Sequence, residues 1–202
     1  MAWMDNSAFE RGDPPSLAGR TAGDLISYEE ITDPGDPSFP PNARAWRVLY
    51  VSTGRDNTDL TLVAGVVVAP ASSRDIPSHG SGDSRTGRVV AWDHGTLGLT
   101  QRCMPSENAA SLIWGSTPWG INTVAWGTDA AGDRREGAPE DGILAGMIRE
   151  GWIVTATDYY VDRWGGNGLQ SFVLGRVEAA NTIDCIRAAH HLLQAVYDEF
   201  PV

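Results

Sequence analysis

Lysine is absent: all 15 basic residues of the 202-residue chain are arginine. That excludes Schiff-base chemistry, a phosphate-loop lysine and a serine–lysine dyad, each of which needs a primary amine. No serine has glycine at both the second position before it and the second after it. The Gly-x-Ser-x-Gly elbow, which exposes a nucleophilic serine between a strand and a helix, is therefore missing. Cysteine is scarce, with 2 residues, too few for a disulfide framework and without metal-ligand spacing. Cys103 falls in a loop and Cys185 in a helix, and reduced thiols are the expectation. Positive charge is in deficit, since 15 basic against 26 acidic residues give −11. That balance argues against nucleic acid or an anionic membrane surface as a partner. No apolar run approaches the roughly 18 residues of a membrane span, so no transmembrane segment is expected. Met1 to Glu10 has neither the basic nor the apolar region of a signal peptide, and the sequence assigns no compartment.

What is present is a globular composition, with 42% apolar residues and 23 glycines. Residues 1–44 read as an irregular arm, broken by Pro14-Pro15, Pro34-Gly35, Pro37 and Pro40-Pro41. Two apolar runs, Ala45 to Val51 and Leu60 to Ala69, predict an antiparallel hairpin with Asp56 and Asn57 in its turn. Residues 71–87 read as a surface loop. Val89 to Trp92 is continuously apolar, which predicts a short strand buried on both faces. Asp141 is placed to cap a helix that buries Ile143, Leu144, Met147 and Ile148 and stops at Gly151. Trp152 to Thr157 is the next strand. The last helix shows its apolar face at Val177, Ala180, Ile183, Ile186, Ala188, Leu192, Val196 and Tyr197. Strands alternating with helices in this second half predict a parallel βαβ unit.

The densest signal is Val89-Val90-Ala91-Trp92-Asp93-His94-Gly95-Thr96-Leu97-Gly98. A strand breaks there into a His-Gly-Thr-x-Gly turn, the form an oxyanion-binding loop takes. Cys103-Met104-Pro105-Ser106 follows it. Further on come Gly151-Trp152-Ile153-Val154-Thr155-Ala156-Thr157-Asp158-Tyr159 and then Phe172-Val173-Leu174-Gly175-Arg176-Val177-Glu178, leading to Asp184-Cys185-Ile186-Arg187-Ala188-Ala189. In this order and spacing the segments resemble the secretory lipase family of the α/β-hydrolases, the fungal and bacterial lipases similar to yeast lipase A. The family has Cys-Ala-Pro-Ser at the second segment, Gly-Tyr-x-Val-x-Ala-x-Asp-Tyr at the third, and a Gly-Arg … Asp-x-x-Arg-Ala-Ala helix at the last. After Asp158-Tyr159 the family continues Gly-Leu-Gly, where this chain has Tyr160-Val161-Asp162.

The resemblance implies an α/β-hydrolase-type three-layer sandwich, with residues 45–202 as its N-terminal half, ending before the nucleophile-elbow strand. In that strand order the third strand lies between the fourth and the fifth. Without a fifth strand, Val89 to Trp92 would form an open edge. The implied activity is that of a serine carboxylic-ester hydrolase, a lipase or esterase acting on an acyl ester or lipid through an acyl-enzyme, with no metal and no organic cofactor. Gly95 and Thr96 would be the oxyanion loop, with His94 bracing it, while nucleophile, acid and base lie outside this chain. Trp114, Trp119 and Trp126, in an insertion at 108–140, are candidates for an acyl-binding wall or lid, or else for anchors of a long loop. The alternative is a non-catalytic, truncated or degenerate chain that associates with a partner or with itself through the open edge. Of the remaining polar residues, His190 and His191 are adjacent on a helix and read as one surface and one packed side chain. Asp158 reads as a structural hydrogen-bond partner of Tyr159, and Asp184 and Arg187 as a surface or interface pair.

Overall fold

The computed structural model describes residues 14–31, 42–54, 56, 59–76, 87–95, 104–107, 143–161, 170 and 173–198. The two longest apolar runs form its centre. Strands β2 (Ala43–Thr53) and β3 (Leu60–Pro70) pair antiparallel in an unbroken register from Ala43↔Pro70 to Thr53↔Leu60. Both carry apolar or aromatic side chains on both faces, and both are buried along nearly their whole length. β-Branched and aromatic side chains suit such a pleated, packed surface.

The reading of 1–44 as an irregular arm needs correction, because Leu25–Glu30 is a strand, β1, antiparallel to β2. Its sequence is too short and too polar to announce itself. Pairing with β2 supplies the hydrogen bonds, and Glu30 adds an ion pair at 2.8 Å with Arg44, whose guanidinium lies 4.7 Å over the Trp46 ring. β4 (Val89–Ala91) and β5 (Ile153–Thr157) complete a sheet of order β1-β2-β3-β5-β4. β3 is antiparallel to β5, and β4 is parallel to β5.

Helices cover opposite faces. Ile148 of α1 (Ile143–Arg149) packs against Ala43, Ala45, Val66, Val68, Val154 and Ala156, with Met147 half-buried beside them. Gly151, at φ +80°, ends that helix in the left-handed conformation that favours glycine. On the other face α2 (Gly175–Val196) sets Cys185, Ala188, Ala189, Leu192 and Leu193 against Trp46, Val48, Tyr50, Val63, Val67 and Ile153. Each leucine buried this way stabilises the fold by roughly 1.5–3 kcal/mol. Ile183, expected on the buried face of α2, is instead half exposed. The result is three layers: helix, mixed sheet, helix.

A second correction concerns β4. It was expected to be buried on both faces, yet Val89 is 40% exposed, and Val90 and Ala91 are only half-buried. The cause is position: β4 is the outermost strand, and β5 is its only partner among the described residues.

Candidate functional site

β4 and β5 run in the same direction and end together, Ala91 opposite Thr155, with the Trp92 N–H donating to the Thr155 carbonyl at 2.7 Å. The segments that follow them therefore meet at the carboxyl edge of a parallel pair, where ligands bind in open α/β sheets. From β4 come Trp92, Asp93, His94 and Gly95; from β5 come Asp158 and Tyr159.

His94 is 5% exposed. Its Nδ1 lies 2.7 Å from the carbonyl oxygen of Gly95, and its Nε2 is buried with no hydrogen-bond partner among the described residues. The His94 and Tyr159 rings lie 4.6 Å apart at 43°. The Tyr159 hydroxyl reaches back at 3.4 Å to the His94 carbonyl. Tyr159 adopts φ +57°, a left-handed conformation uncommon for a residue with a Cβ. The Thr157 hydroxyl supports it by accepting the Tyr159 N–H at 3.0 Å. Burial, with Asp93 and Glu178 nearby, pushes the Tyr159 phenol well above the ordinary tyrosine range, so it remains a donor. Asp93 in turn accepts from Thr182 of α2 at 2.7 Å, tying the loop to the helix. Gly95 is exposed at the tip of the described segment. Thr96, Trp114, Trp119, Trp126, Cys103 and the capping residue Asp141 lie outside the described residues, as does the insertion at 108–140.

Asp158 holds Ser106. Its fully buried carboxyl accepts the backbone N–H of Ser106 at 2.8 Å through Oδ1 and the Ser106 hydroxyl through Oδ2. Arg47, on the same face of the sheet, donates from Nε to the Ser106 carbonyl at 2.8 Å. Ser106 is thus a clasp between the 104–107 turn and the end of β5, fully buried and closed to a substrate. The two residues stand 52 positions apart, and nothing in a serine and an aspartate so placed names them as partners.

Asp184 was expected to make a surface or interface contact with Arg187. The pair exists, at 2.7 Å, but Asp184 is buried and also accepts from the Ser52 hydroxyl at 2.8 Å. Asn181 donates to the same hydroxyl at 2.8 Å and to the Thr53 carbonyl at 3.0 Å, so α2 is bolted to the end of β2. His190 and His191 are both exposed, correcting the expectation that one is packed; the helix turns both toward solvent.

A directed chain crosses the core. The Tyr50 hydroxyl donates to the Asn181 carbonyl at 3.0 Å, because a carbonyl can only accept. The Thr157 hydroxyl, 2.7 Å away, must then donate to the Tyr50 oxygen. Beside them burial pushes the Cys185 thiol up to about 12. Cys185 is therefore a packed thiol rather than a nucleophile. No group of three or more His, Cys, Asp or Glu side chains that could hold a metal occurs among the described residues. Among the described residues, no helix is long and apolar enough to cross a membrane.

This is an α/β arrangement: three antiparallel strands lead into one parallel pair, and the strand that precedes the His-Gly turn lies outside the next one. No protein-family model matches the sequence, and no curated protein sequence matches it. Among solved structures, the rice cell wall degrading esterase LipA from Xanthomonas oryzae is similar, with 18% identity over 87% of this chain and a TM-score of 0.48. A ligand-bound form of that esterase gives the same values. The chain spans 39% of the esterase's length. At that identity and TM-score the likeness assigns no residue a role.

Proposed function

We propose that the chain carries the oxyanion-loop part of a serine carboxylic-ester hydrolase of lipase or esterase type, related to the secretory lipases. The observation that carries this reading is the placement of His94-Gly95 at the carboxyl end of β4, beside Asp158-Tyr159 at the end of β5. In this reading the N–H groups of Gly95 and Thr96 face the acyl oxygen that becomes negative in the transition state. Each such preorganised donor is worth about 3–4 kcal/mol. His94 braces the loop, and Trp114, Trp119 and Trp126 form the wall against an acyl or lipid substrate. The nucleophilic serine, the acid and the base come from residues outside this sequence.

The purified chain is therefore expected to leave p-nitrophenyl acetate and butyrate at the buffer rate and to take no label from a fluorophosphonate. Turnover blocked by that probe would overturn the assignment of the nucleophile to other residues. Reading the coding DNA beyond the codon for Val202 tests the rest: a strand followed by Gly-x-Ser-x-Gly within roughly 20 codons is expected. A stop codon with no such motif in any frame would remove the hydrolase reading.

One observation favours a second reading, a non-catalytic chain that associates through its sheet edge. Arg88 O and Trp92 N–H bond to β5, so Val89 and Ala91 turn their backbone groups to the opposite side of β4. Such an edge, with Val89 exposed, invites another strand. Light scattering is expected to give a mass that is a multiple of 21.7 kDa. Ala91→Pro, which removes an outward N–H and leaves the β5 ladder intact, is expected to return it to the single-chain mass. A wild-type chain that is monomeric at 100 µM (about 2 mg/mL) would overturn this reading.

A further inference from the structure

We propose that His94 is a positioning residue, fixed as its Nδ1–H tautomer, which sets the direction of the Gly95 peptide group while its Nε2 accepts from a buried hydroxyl donor, a water in the free protein. The inference deepens the ester-hydrolase reading and, in what it says about an oxyanion, rests on it.

The tautomer follows from the contact. A carbonyl oxygen only accepts, so at 2.7 Å from the Gly95 oxygen the Nδ1 atom must carry the proton. In the neutral ring Nε2 is then a lone pair. It is buried and has no partner among the described residues. Tyr159 packs its ring against the imidazole at 4.6 Å and a 43° tilt, and its hydroxyl holds the His94 carbonyl. A buried acceptor without a donor is a site for an O–H group, and a single water is the smallest ligand that supplies one.

The same contact acts on the backbone. It holds the Gly95 carbonyl toward the imidazole at 2.7 Å. If the loop binds an oxyanion, His94 steadies it in this way without touching the substrate.

The test uses the full chain labelled with ¹⁵N-histidine. Long-range ¹H–¹⁵N correlation is expected to show His94 protonated at Nδ1 and bare at Nε2, opposite to the tautomer that free histidine prefers. A ring proton of His94 is expected to show a rotating-frame cross-peak to water. An Nε2–H tautomer overturns the proposal, and a missing water cross-peak overturns its ligand. Two variants test the positioning role. His94→Asn places an amide donor where Nδ1 lies, whereas His94→Gln places its amide near Nε2. The backbone amide resonances around Gly95 are expected to stay in place in the first and move in the second; equal displacement in both overturns the role. Should either variant fail to fold, the wild-type tautomer decides. None of these measurements involves an ester, so a failed ester-hydrolase reading leaves them unchanged.

Discussion

Replacing Asp158 by alanine is expected to destabilise the chain by about 3 kcal/mol, and by asparagine by only about 1 kcal/mol. The Asp158 carboxyl is fully buried and takes both the N–H and the hydroxyl of Ser106. Alanine strands both donors where water does not reach, and each unsatisfied buried group costs about 1–3 kcal/mol. Asparagine keeps one acceptor oxygen for the Ser106 N–H, and the serine hydroxyl can rotate to accept from the new amide. Asparagine fills the same space as aspartate, so its loss reads the hydrogen bonds alone, whereas alanine loses the bonds and the packing together. In urea, with m of about 2 kcal/mol/M, the alanine variant should lose about 1.5 M from its midpoint. Amide exchange should rise first at residues 104–107, because Asp158 is what clasps that turn to the end of β5. A smaller loss for alanine than for asparagine would show that this clasp does not exist in solution.

The elements that the sequence made legible are those whose own pattern is sufficient. β2, β3 and α2 each bury a continuous apolar surface, so period and length identify them within two residues of their bounds. β1 was not legible. Leu25–Glu30 sits among prolines and glycines, and its strand conformation comes from the partner it pairs with, not from its own alternation. Val89–Ala91 was legible as a strand, but the inference from its apolar run to two buried faces failed. The hydrolase strand order already placed it at an edge, and position in a sheet outweighs composition. At the site, the turn at His94-Gly95 could be read because glycine after a strand end is a local signal. The polar clasps could not. Ser106 with Asp158, and Ser52 with Asn181 and Asp184, join residues 52 to 132 positions apart. Short polar side chains fit many partners, and only the folded geometry chooses among them. Asp184 illustrates the error this causes, since its spacing to Arg187 describes a surface pair while its burial depends on Ser52.

Gly65→Ala is expected to cost about 3 kcal/mol, a sign opposite to the rule for most strands. Removing a glycine from a strand interior ordinarily stabilises it by roughly 0.5–1 kcal/mol. Here a Cβ would stand 2.7 Å from the Ala156 carbonyl oxygen and 3.1 Å from the Cys185 sulfur. Gly65 pairs with Thr157 in the β3–β5 ladder, directly beneath α2. The oxygen belongs to the sheet itself and cannot retreat without opening that ladder, so overpacking outweighs the gain in chain entropy. Adding Cys185→Ala removes the sulfur but leaves the oxygen, and is expected to recover less than half of the loss. Gly175→Ala is the control: nothing lies within 4 Å of its Cβ position, at the first turn of α2, and about 0.5 kcal/mol of stabilisation is expected. The contrast is read by thermal or urea unfolding of the three variants. A Gly65→Ala chain as stable as wild type would mean that β3 and β5 are not packed under α2. β5 would then not lie between β3 and β4, and the meeting of His94 with Tyr159 at its carboxyl end would lose its support.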